Sequence, residues 1–229
     1  MNFAKVLFML FLVCTLSAAT STILILDASG SMDDTAPGSS ERKIDVAKDA
    51  AYTLLNNVNS GDEMALIVFY DCNDIRTVVN FTTDMSAIRS ALSPIEPYSS
   101  TPIADSITYA ASYAQNSGRS NSNIIILTDG EETCGSQSDA IAAAQNVTSY
   151  GGVKVINVVG FDIQGSSAGK SLEDIATAGK GQYYSANDSS QLANSLTQAY
   201  TGGNSSSCCA PAALLGVVLV GAFIYSRKN

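Results

Sequence analysis

Four short apolar runs, separated by amphipathic stretches, constrain the fold of this chain more than any other feature. The runs cover residues 22–26, 64–70, 123–127 and 153–159. Each is rich in β-branched residues and apolar at consecutive positions, which is typical of strands buried on both faces. The stretches between them have the apolar spacing of helices. Strands that alternate with helices predict a mostly parallel sheet with helices on both faces and right-handed crossovers.

The remaining elements follow from the same two periodicities. Residues 75–81 are more polar and begin only four residues after the second run, which is too short for a helical crossover. They therefore predict an antiparallel edge strand, and residues 181–185 predict a last short strand. Ser40 is a candidate N-cap for the first helix, and Thr101-Pro102 predicts a cap and a first helical position for the second. Helices are predicted over residues 41–57, 103–115, 139–150, 171–178 and 189–200.

Both ends of the chain carry apolar segments that lie outside the predicted domain, residues 20–200. Residues 1–19 combine Lys5, an apolar core and a small-residue cleavage pattern, which predicts a secretory signal peptide, with an uncleaved anchor as the alternative. A Gly/Ser linker, residues 201–209, leads to a predicted transmembrane helix at 210–226 and a basic tail at 227–229. This order predicts a single-pass membrane protein with its domain on the extracellular or extracytoplasmic side. Processing of the C-terminal segment as a glycolipid-anchor signal or a surface-sorting tail stays open.

Charge and composition exclude several function classes. Between residues 20 and 209 there are 9 basic residues, since Lys5, Arg227 and Lys228 lie outside, against all 21 acidic ones. This acidic balance argues against nucleic acid and anionic membrane surfaces as partners. The chain has no histidine. A Ser-His-Asp or Cys-His nucleophilic centre is therefore excluded, as is any zinc or copper site that contains histidine.

Four cysteines remain after the predicted removal of the signal peptide. An even number in a secreted chain suggests disulfides, and Cys72 with Cys134 is the natural pair. Cys208 and Cys209 adjoin the predicted membrane segment. Lipidation or an intermolecular bridge is favoured there over a bond between neighbours.

Oxygen-bearing side chains follow the predicted strands at one edge of the sheet. Asp27, Ser29 and Ser31 come directly after the first strand, Thr101 precedes a helix, and Asp129 follows the strand at 123–127. In a sheet of this kind, ligands bind at the carboxyl ends of the strands, near the point where strand order reverses. Carboxylates and hydroxyls are hard donors that suit Mg²⁺, Mn²⁺ or Ca²⁺. Because few of these donors are charged, a bound cation would keep positive charge and an open position for a partner's carboxylate.

Three motifs at these positions resemble a known metal site. DASGS at 27–31, TP at 101–102 and TDG at 128–130 are similar to the metal-ion-dependent adhesion site of von Willebrand factor type A domains. The resemblance spans about residues 22–200. It implies a Rossmann-like α/β fold and a divalent cation, Mg²⁺ first, with Mn²⁺ and Ca²⁺ as alternatives.

The resemblance also implies a role for each of the five residues. Ser29, Ser31 and Thr101 would contact the metal, and Asp27 and Asp129 would act directly or through water. In the family, an acidic group of the partner typically completes the octahedron. The alternative is a structural aspartate with capping hydroxyls and no metal.

Other motif-like segments favour no function. Residues 165–169 fit the G-x-S-x-G nucleophile pattern, but without histidine no ordinary triad can activate Ser167. Residues 169–171 resemble the end of a Walker motif whose glycine spacing is one residue short. Both are interpreted as a flexible Gly/Ser loop before a helix. Glu131 and Glu132, which follow Asp129, are interpreted as solvated, with tuning of cation affinity as the alternative.

These observations predict a membrane-tethered extracytoplasmic module, not an enzyme, that binds a protein or glycan ligand through a divalent cation. One alternative is an envelope assembly subunit that recruits a partner. Another is a metal-dependent hydrolase or phosphatase with Asp27 as nucleophile. The enzymatic alternative is disfavoured because phosphatases with an aspartyl nucleophile usually carry a second acid two residues on, where this chain has Ser29.

Overall fold

Strands and helices alternate along the chain. The computed structural model describes residues 19–149, 152–163, 165 and 167–204. The strands in these ranges are β1 (Ser21–Asp27), β2 (Glu63–Asp71), β3 (Asp74–Thr82), β4 (Ser122–Thr128), β5 (Val153–Phe161) and β6 (Lys180–Ala186). The helices are α1 (Lys43–Leu55), α2 (Met85–Leu92), α3 (Ile103–Asn116), α4 (Gln137–Ser149), α5 (Ser167–Ala178) and α6 (Ser189–Asn204). A short 3-10 turn, Gly30–Asp33, follows β1.

The strands form one sheet in the order β3-β2-β1-β4-β5-β6. The β2–β3 pair is antiparallel and every other neighbouring pair is parallel. This confirms the predicted fold class, a mostly parallel sheet with one antiparallel edge strand. Strand β1 lies between β2 and β4, so the strand order reverses beside it. The carboxyl end of β1, at Asp27, is thus the switch point where ligands bind in open α/β sheets.

Two buried clusters, one on each face of the sheet, confirm that helices cover both faces. Leu24 and Leu26 of β1 belong to the cluster that contains residues of α1, α2 and α6. Ile23 and Ile25 belong to the other cluster, which contains residues of α3, α4 and α5. Successive side chains of a strand point to opposite faces, so a strand covered on both faces must be apolar throughout. The site edge therefore rests on a rigid apolar core.

Three helix boundaries differ from the sequence predictions. Helix α1 begins at Lys43 after Arg42, so Ser40 is not its N-cap; the Lys43 N–H donates to Asp34 O at 2.8 Å instead. Pro102 is the N-cap of α3 rather than its first helical residue, because its ψ of 69° is not helical. Residues 201–204, predicted as linker, continue α6. Contacts with β5 stabilise that last turn, including a 3.0 Å bond from Lys154 Nζ to Gly203 O.

Short elements were missed, and one predicted loop is helical. Neither α2 nor the 3-10 turn is long enough to show a clear periodicity. Helix α5 begins at Ser167, four residues earlier than predicted, so the second half of the Gly/Ser segment is helical.

A disulfide joins Cys72 to Cys134, as predicted, with an S–S distance of 2.06 Å and a Cα–Cα distance of 5.4 Å. It links the β2–β3 turn to the loop between β4 and α4, two connections at the carboxyl edge of the sheet. In the part of the chain that the structure describes, no helix has the length and apolar character to cross a membrane. The predicted segment at 210–226 and all but the last residue of the predicted signal peptide lie outside that part.

Candidate metal site

The carboxylate of Asp27 is the most deeply buried group of the candidate site. Asp27 ends β1 and has no solvent exposure. Its Oδ1 accepts a hydrogen bond from the Ser29 backbone N–H at 2.7 Å, and its Oδ2 accepts one from Thr128 Oγ1 at 2.5 Å. Both of these donors are neutral, so neither offsets the negative charge of the carboxylate.

Burial shifts the acidity of this group strongly. The pKa of Asp27 is raised from 3.8 to about 7, chiefly because burial disfavours the charged form and secondly because Asp129 is a nearby negative charge. The hydrogen bonds from Ser29 and Thr128 lower the pKa, but they offset only part of the rise. The metal-free site therefore holds a carboxylate that a positive charge would stabilise.

A chain of short contacts joins the two serines to Asp129. The hydroxyls of Ser29 and Ser31 lie 3.3 Å apart, and Ser31 Oγ donates to Asp129 Oδ1 at 2.7 Å. Ser29 and Asp129 are buried, whereas Ser31 is exposed. The Gly30 N–H donates to Ser99 O at 2.9 Å, and a Cβ at Gly30 would lie only 3.3 Å from that oxygen. A side chain at this position would crowd the Ser99 carbonyl, so glycine favours the close approach of the loop to the neighbouring backbone.

Thr101 approaches the same edge from the start of α3 and is 5% exposed. Its backbone is held from both sides by Thr133, whose Oγ1 accepts from the Thr101 N–H at 2.7 Å and whose N–H donates to Thr101 O at 3.0 Å. A Cβ at Gly130 would lie 3.8 Å from Thr101 Oγ1, which places this hydroxyl beside the residue that follows Asp129. The structure thus brings all five predicted residues to the carboxyl ends of β1 and β4.

The match to a known family covers the strands and loops that carry this geometry. Residues 22–132 match the family model described as the von Willebrand factor type A domain. Residues 22–132 therefore belong to a von Willebrand factor type A domain.

Relatives of this von Willebrand factor type A domain are found among bacterial proteins. The uncharacterized protein YwmC of Bacillus subtilis (strain 168) is 29% identical over 198 residues, which cover 79% of this chain and 83% of YwmC. YwmD of the same organism is 27% identical over 191 residues, 76% of this chain and 82% of YwmD. Among solved structures, an aerotolerance-related membrane protein of Bacteroides fragilis superposes with a TM-score of 0.65 at 24% identity. It covers 80% of this chain and 99% of that one, and this likeness shows the shared fold.

The donor set of the domain fits a hard divalent cation. Two carboxylates, Asp27 and Asp129, and three hydroxyls meet at one edge, and such oxygen donors are suited to Mg²⁺, Mn²⁺ or Ca²⁺. Among the residues that the structure describes, no three His, Cys, Asp or Glu side chains form a metal-binding group. The candidate site instead combines two carboxylates with three hydroxyls. The negative charge buried at Asp27 is the feature that best fits a cation.

Sequence reasoning missed two charged residues, Lys43, which contacts Asp129, and Asp162, which contacts Lys43. Lys43 Nζ donates to Asp129 Oδ2 at 3.0 Å and lies 3.1 Å from Asp162 Oδ2. Asp162 follows the end of β5 in the left-handed region, at φ 60°, a conformation that aspartate tolerates better than most residues. Neither residue belongs to a motif, and no spacing in the sequence relates them to the site.

Glu131 and Glu132 are structural and not simply solvated, which corrects the sequence interpretation. Glu132 Oε2 accepts from the Ala104 N–H at 2.7 Å, in the first turn of α3, and its Oε1 accepts from the Cys134 N–H at 2.7 Å. Glu132 thereby holds the start of α3 against the loop after β4. Glu131 Oε1 accepts from Ser167 Oγ at 2.7 Å. The serine of the G-x-S-x-G segment therefore fixes the start of α5 to this loop.

Proposed function

We propose that this von Willebrand factor type A domain holds a divalent cation, Mg²⁺ in the first place, and recognises an acidic group of a protein ligand through it. Asp27, Ser29, Ser31, Thr101 and Asp129 would hold the cation, directly or through water. The supporting observation is the fully buried Asp27 carboxylate, whose hydrogen-bond donors are neutral. A cation bound by these residues would supply the positive charge that a partner's carboxylate needs.

The exposure of the site residues supports access of a ligand to the cation from solvent. Ser31 is exposed, while Asp27, Ser29 and Asp129 are buried behind it, so a ligand would reach the cation from the side of Ser31. Beside this opening lies Tyr98, which is 71% exposed and whose N–H donates to Ala28 O at 2.8 Å. An exposed aromatic side chain on an anchored backbone is typical of protein-binding surfaces. A glycan ligand is the alternative, because aromatic rings also pack against sugars.

The burial of Asp27 also supports a binding module over an enzyme. A nucleophilic aspartate must reach its substrate, and Asp27 has no exposed surface. We further propose that the domain faces the outside of the cell and is tethered by the segment at 210–226. The similar Bacteroides fragilis protein is described as a membrane protein, which supports an envelope location. Recruitment of an envelope partner remains within this proposal as one form of protein recognition.

Titration of the purified full-length chain with Mg²⁺ by isothermal calorimetry tests the site, and Thr101→Val gives the sharpest comparison. Valine keeps the shape of threonine but removes the hydroxyl, so we expect Mg²⁺ affinity to fall at least about tenfold. Thr108→Val is the matched control, because Thr108 is an exposed residue of α3, the helix that follows Thr101, and its hydroxyl donates to Ala104 O. Equal affinity of the wild type and Thr101→Val would contradict the role of Thr101.

Acidification is expected to weaken Mg²⁺ binding, because the cation displaces the proton of Asp27. With the Asp27 pKa raised to about 7, the carboxylate is mostly ionised at pH 8 and mostly protonated at pH 5.5. Affinity should fall about tenfold for each pH unit below that pKa, or about 30-fold between pH 8 and pH 5.5. Calorimetry at both values checks this, with proton release measured in two buffers of different ionisation enthalpy. An affinity that does not change over this range would contradict it.

Recognition of a ligand is tested by passing intact cells of the source organism over the immobilised full-length chain. We expect the cells to be retained in the presence of Mg²⁺ and released by a chelator. An immobilised Asp27→Asn variant should not retain them. Retention that is insensitive to both changes would indicate binding through another face of the domain, as in an assembly subunit.

A further inference from the structure

We propose that Lys43 is a built-in counter-charge of the cation site, which stabilises the site while it is free of metal and limits how tightly it holds a divalent cation. The inference rests on the proposed cation site. Lys43 lies outside the D-x-S-x-S, threonine and aspartate motifs. It would nevertheless control the cation affinity and the net charge of that site.

The first observation is the geometry of the ion pair. Lys43 is the first residue of α1, and its ammonium lies 3.0 Å from Asp129 Oδ2, while Asp129 Oδ1 accepts from Ser31 Oγ. The Lys43 side chain is 10% exposed and that of Asp129 is not exposed at all. One oxygen of Asp129 thus faces Ser31, another of the candidate metal ligands, and the other oxygen faces the Lys43 ammonium. Lys43 holds this carboxylate in the orientation that the site requires.

The second observation is the charge around the ammonium. Lys43 Nζ also lies 3.1 Å from Asp162 Oδ2, so it joins two carboxylates that come from different strand ends. Loss of the lysine would leave Asp129 buried with its charge uncompensated, which is costly in a protein interior. Asp162 is 39% exposed in its side chain, so water can screen its charge. The site therefore depends on Lys43 mainly through Asp129.

The ammonium and a divalent cation would share the Asp129 carboxylate. Two positive charges on one carboxylate repel each other strongly where water is excluded. Lys43 therefore repels the cation while the site is occupied. While the site is free, its ammonium neutralises Asp129 as the cation would. The two carboxylates Asp27 and Asp129 balance the charge of one divalent cation. Asp162 offsets the charge of Lys43, so the occupied site is close to neutral, and without the lysine it would be net negative and would repel an acidic ligand.

The chain supplies a matched control in Lys48. This residue lies on the same helix and is equally buried, with 8% of its side chain exposed. Its ammonium lies 3.3 Å from Ser93 O and 3.6 Å from Asp45 Oδ1, and none of the five candidate ligands is among these contacts. Lys43→Met and Lys48→Met remove the same charge and leave the same apolar stem.

The experiment measures Mg²⁺ affinity by isothermal calorimetry, and melting temperature with and without saturating Mg²⁺, on the full-length chain. We expect Lys43→Met to bind Mg²⁺ about tenfold more tightly than the wild type, as removal of one nearby positive charge predicts. Without metal, its melting temperature should lie below that of the wild type, and saturating Mg²⁺ should raise it by more than in the wild type. Lys48→Met and Lys43→Arg should bind Mg²⁺ within about threefold of the wild type.

The outcomes separate this inference from the proposed site. If the wild type and Lys43→Met both fail to bind Mg²⁺, the proposed cation site is wrong. If the wild type binds and Lys43→Met binds equally or more weakly, only the counter-charge is overturned. Should Lys43→Met be unfolded without metal, refolding on addition of Mg²⁺ supports the inference. Lys43→Gln is the second variant for that case. If it too is unfolded without metal and stays unfolded in saturating Mg²⁺, the inference is overturned, because the cation should replace the lost charge.

Discussion

Asp27→Asn is expected to abolish Mg²⁺ binding and, at the same time, to raise the melting temperature of the metal-free chain. Asparagine keeps an oxygen for the Ser29 N–H and presents its amide to Thr128 Oγ1, so the local geometry should persist. It removes the charge that a divalent cation needs. Affinity should fall at least about 100-fold, equivalent to about 2.7 kcal/mol.

The gain in stability follows from the raised pKa of Asp27. A carboxyl whose pKa is about 7 in the folded chain, against 3.8 as its ordinary value, opposes folding whenever it is ionised. The metal-free chain should therefore become more stable as pH falls from about 7 towards 4, and above pH 7 the full cost, of the order of 4 kcal/mol, is present. Asparagine is neutral at every pH and avoids that cost.

Calorimetric titration and scanning calorimetry at pH 8 check both halves of this prediction on one sample. Asp34→Asn is the control, because Asp34 is an exposed aspartate just after the D-x-S-x-S loop. It should change neither Mg²⁺ affinity nor melting temperature appreciably. An Asp27→Asn chain that binds Mg²⁺ like the wild type would show that Asp27 is a structural residue and not a ligand.

Replacement of both Cys72 and Cys134 by serine is expected to cost about 4 kcal/mol in the free energy of unfolding. The bond closes a loop of 62 residues, and a cross-link of that span restricts the unfolded chain by about this amount. Urea unfolding of the double variant measures the loss. The wild type treated with reductant should show the same loss, and an unchanged midpoint would contradict it.

The same double variant is expected to bind Mg²⁺ about fivefold to tenfold more weakly, because the disulfide lies next to the clamp on Thr101. Cys134 directly follows Thr133, which holds the backbone of Thr101 by two hydrogen bonds. Thr133→Val separates the two effects, since it removes one of these bonds and leaves the disulfide intact. It should weaken Mg²⁺ binding with only a small change in stability. Full Mg²⁺ affinity in both variants would show that the site needs no such support.

The central sheet and the candidate ligands could be predicted from sequence because local patterns encode them. Strands buried on both faces are apolar at successive positions, and the pattern at residues 23–26 shows this directly. Asp27, Ser29 and Ser31 lie in one loop, so their spacing alone brings them together. Thr101 and Asp129 needed the additional rule that the carboxyl ends of parallel strands share an edge.

Lys43, Asp162 and Glu132 could not be predicted because their roles depend on contacts between distant segments. Lys43 meets Asp129 across 86 residues, and Glu132 meets the start of α3 across 28. A surface lysine or glutamate has the same local sequence signature as these buried or bonded ones. The end of α6 was missed for a similar reason, since glycines at 202 and 203 have low helix propensity and tertiary contacts overrode it.

For a domain that acts outside the cell, as proposed, the position of the disulfide also implies an order of events during the life of the chain. Cys72 and Cys134 can be joined only where thiols are oxidised, and in a reducing compartment they would remain apart. Until the bond forms, the loop that carries Thr133 would be less restrained, and Thr101 with it. A newly made chain would thus acquire its full capacity to capture a ligand only after export. Premature capture of acidic proteins inside the cell that makes it would be avoided.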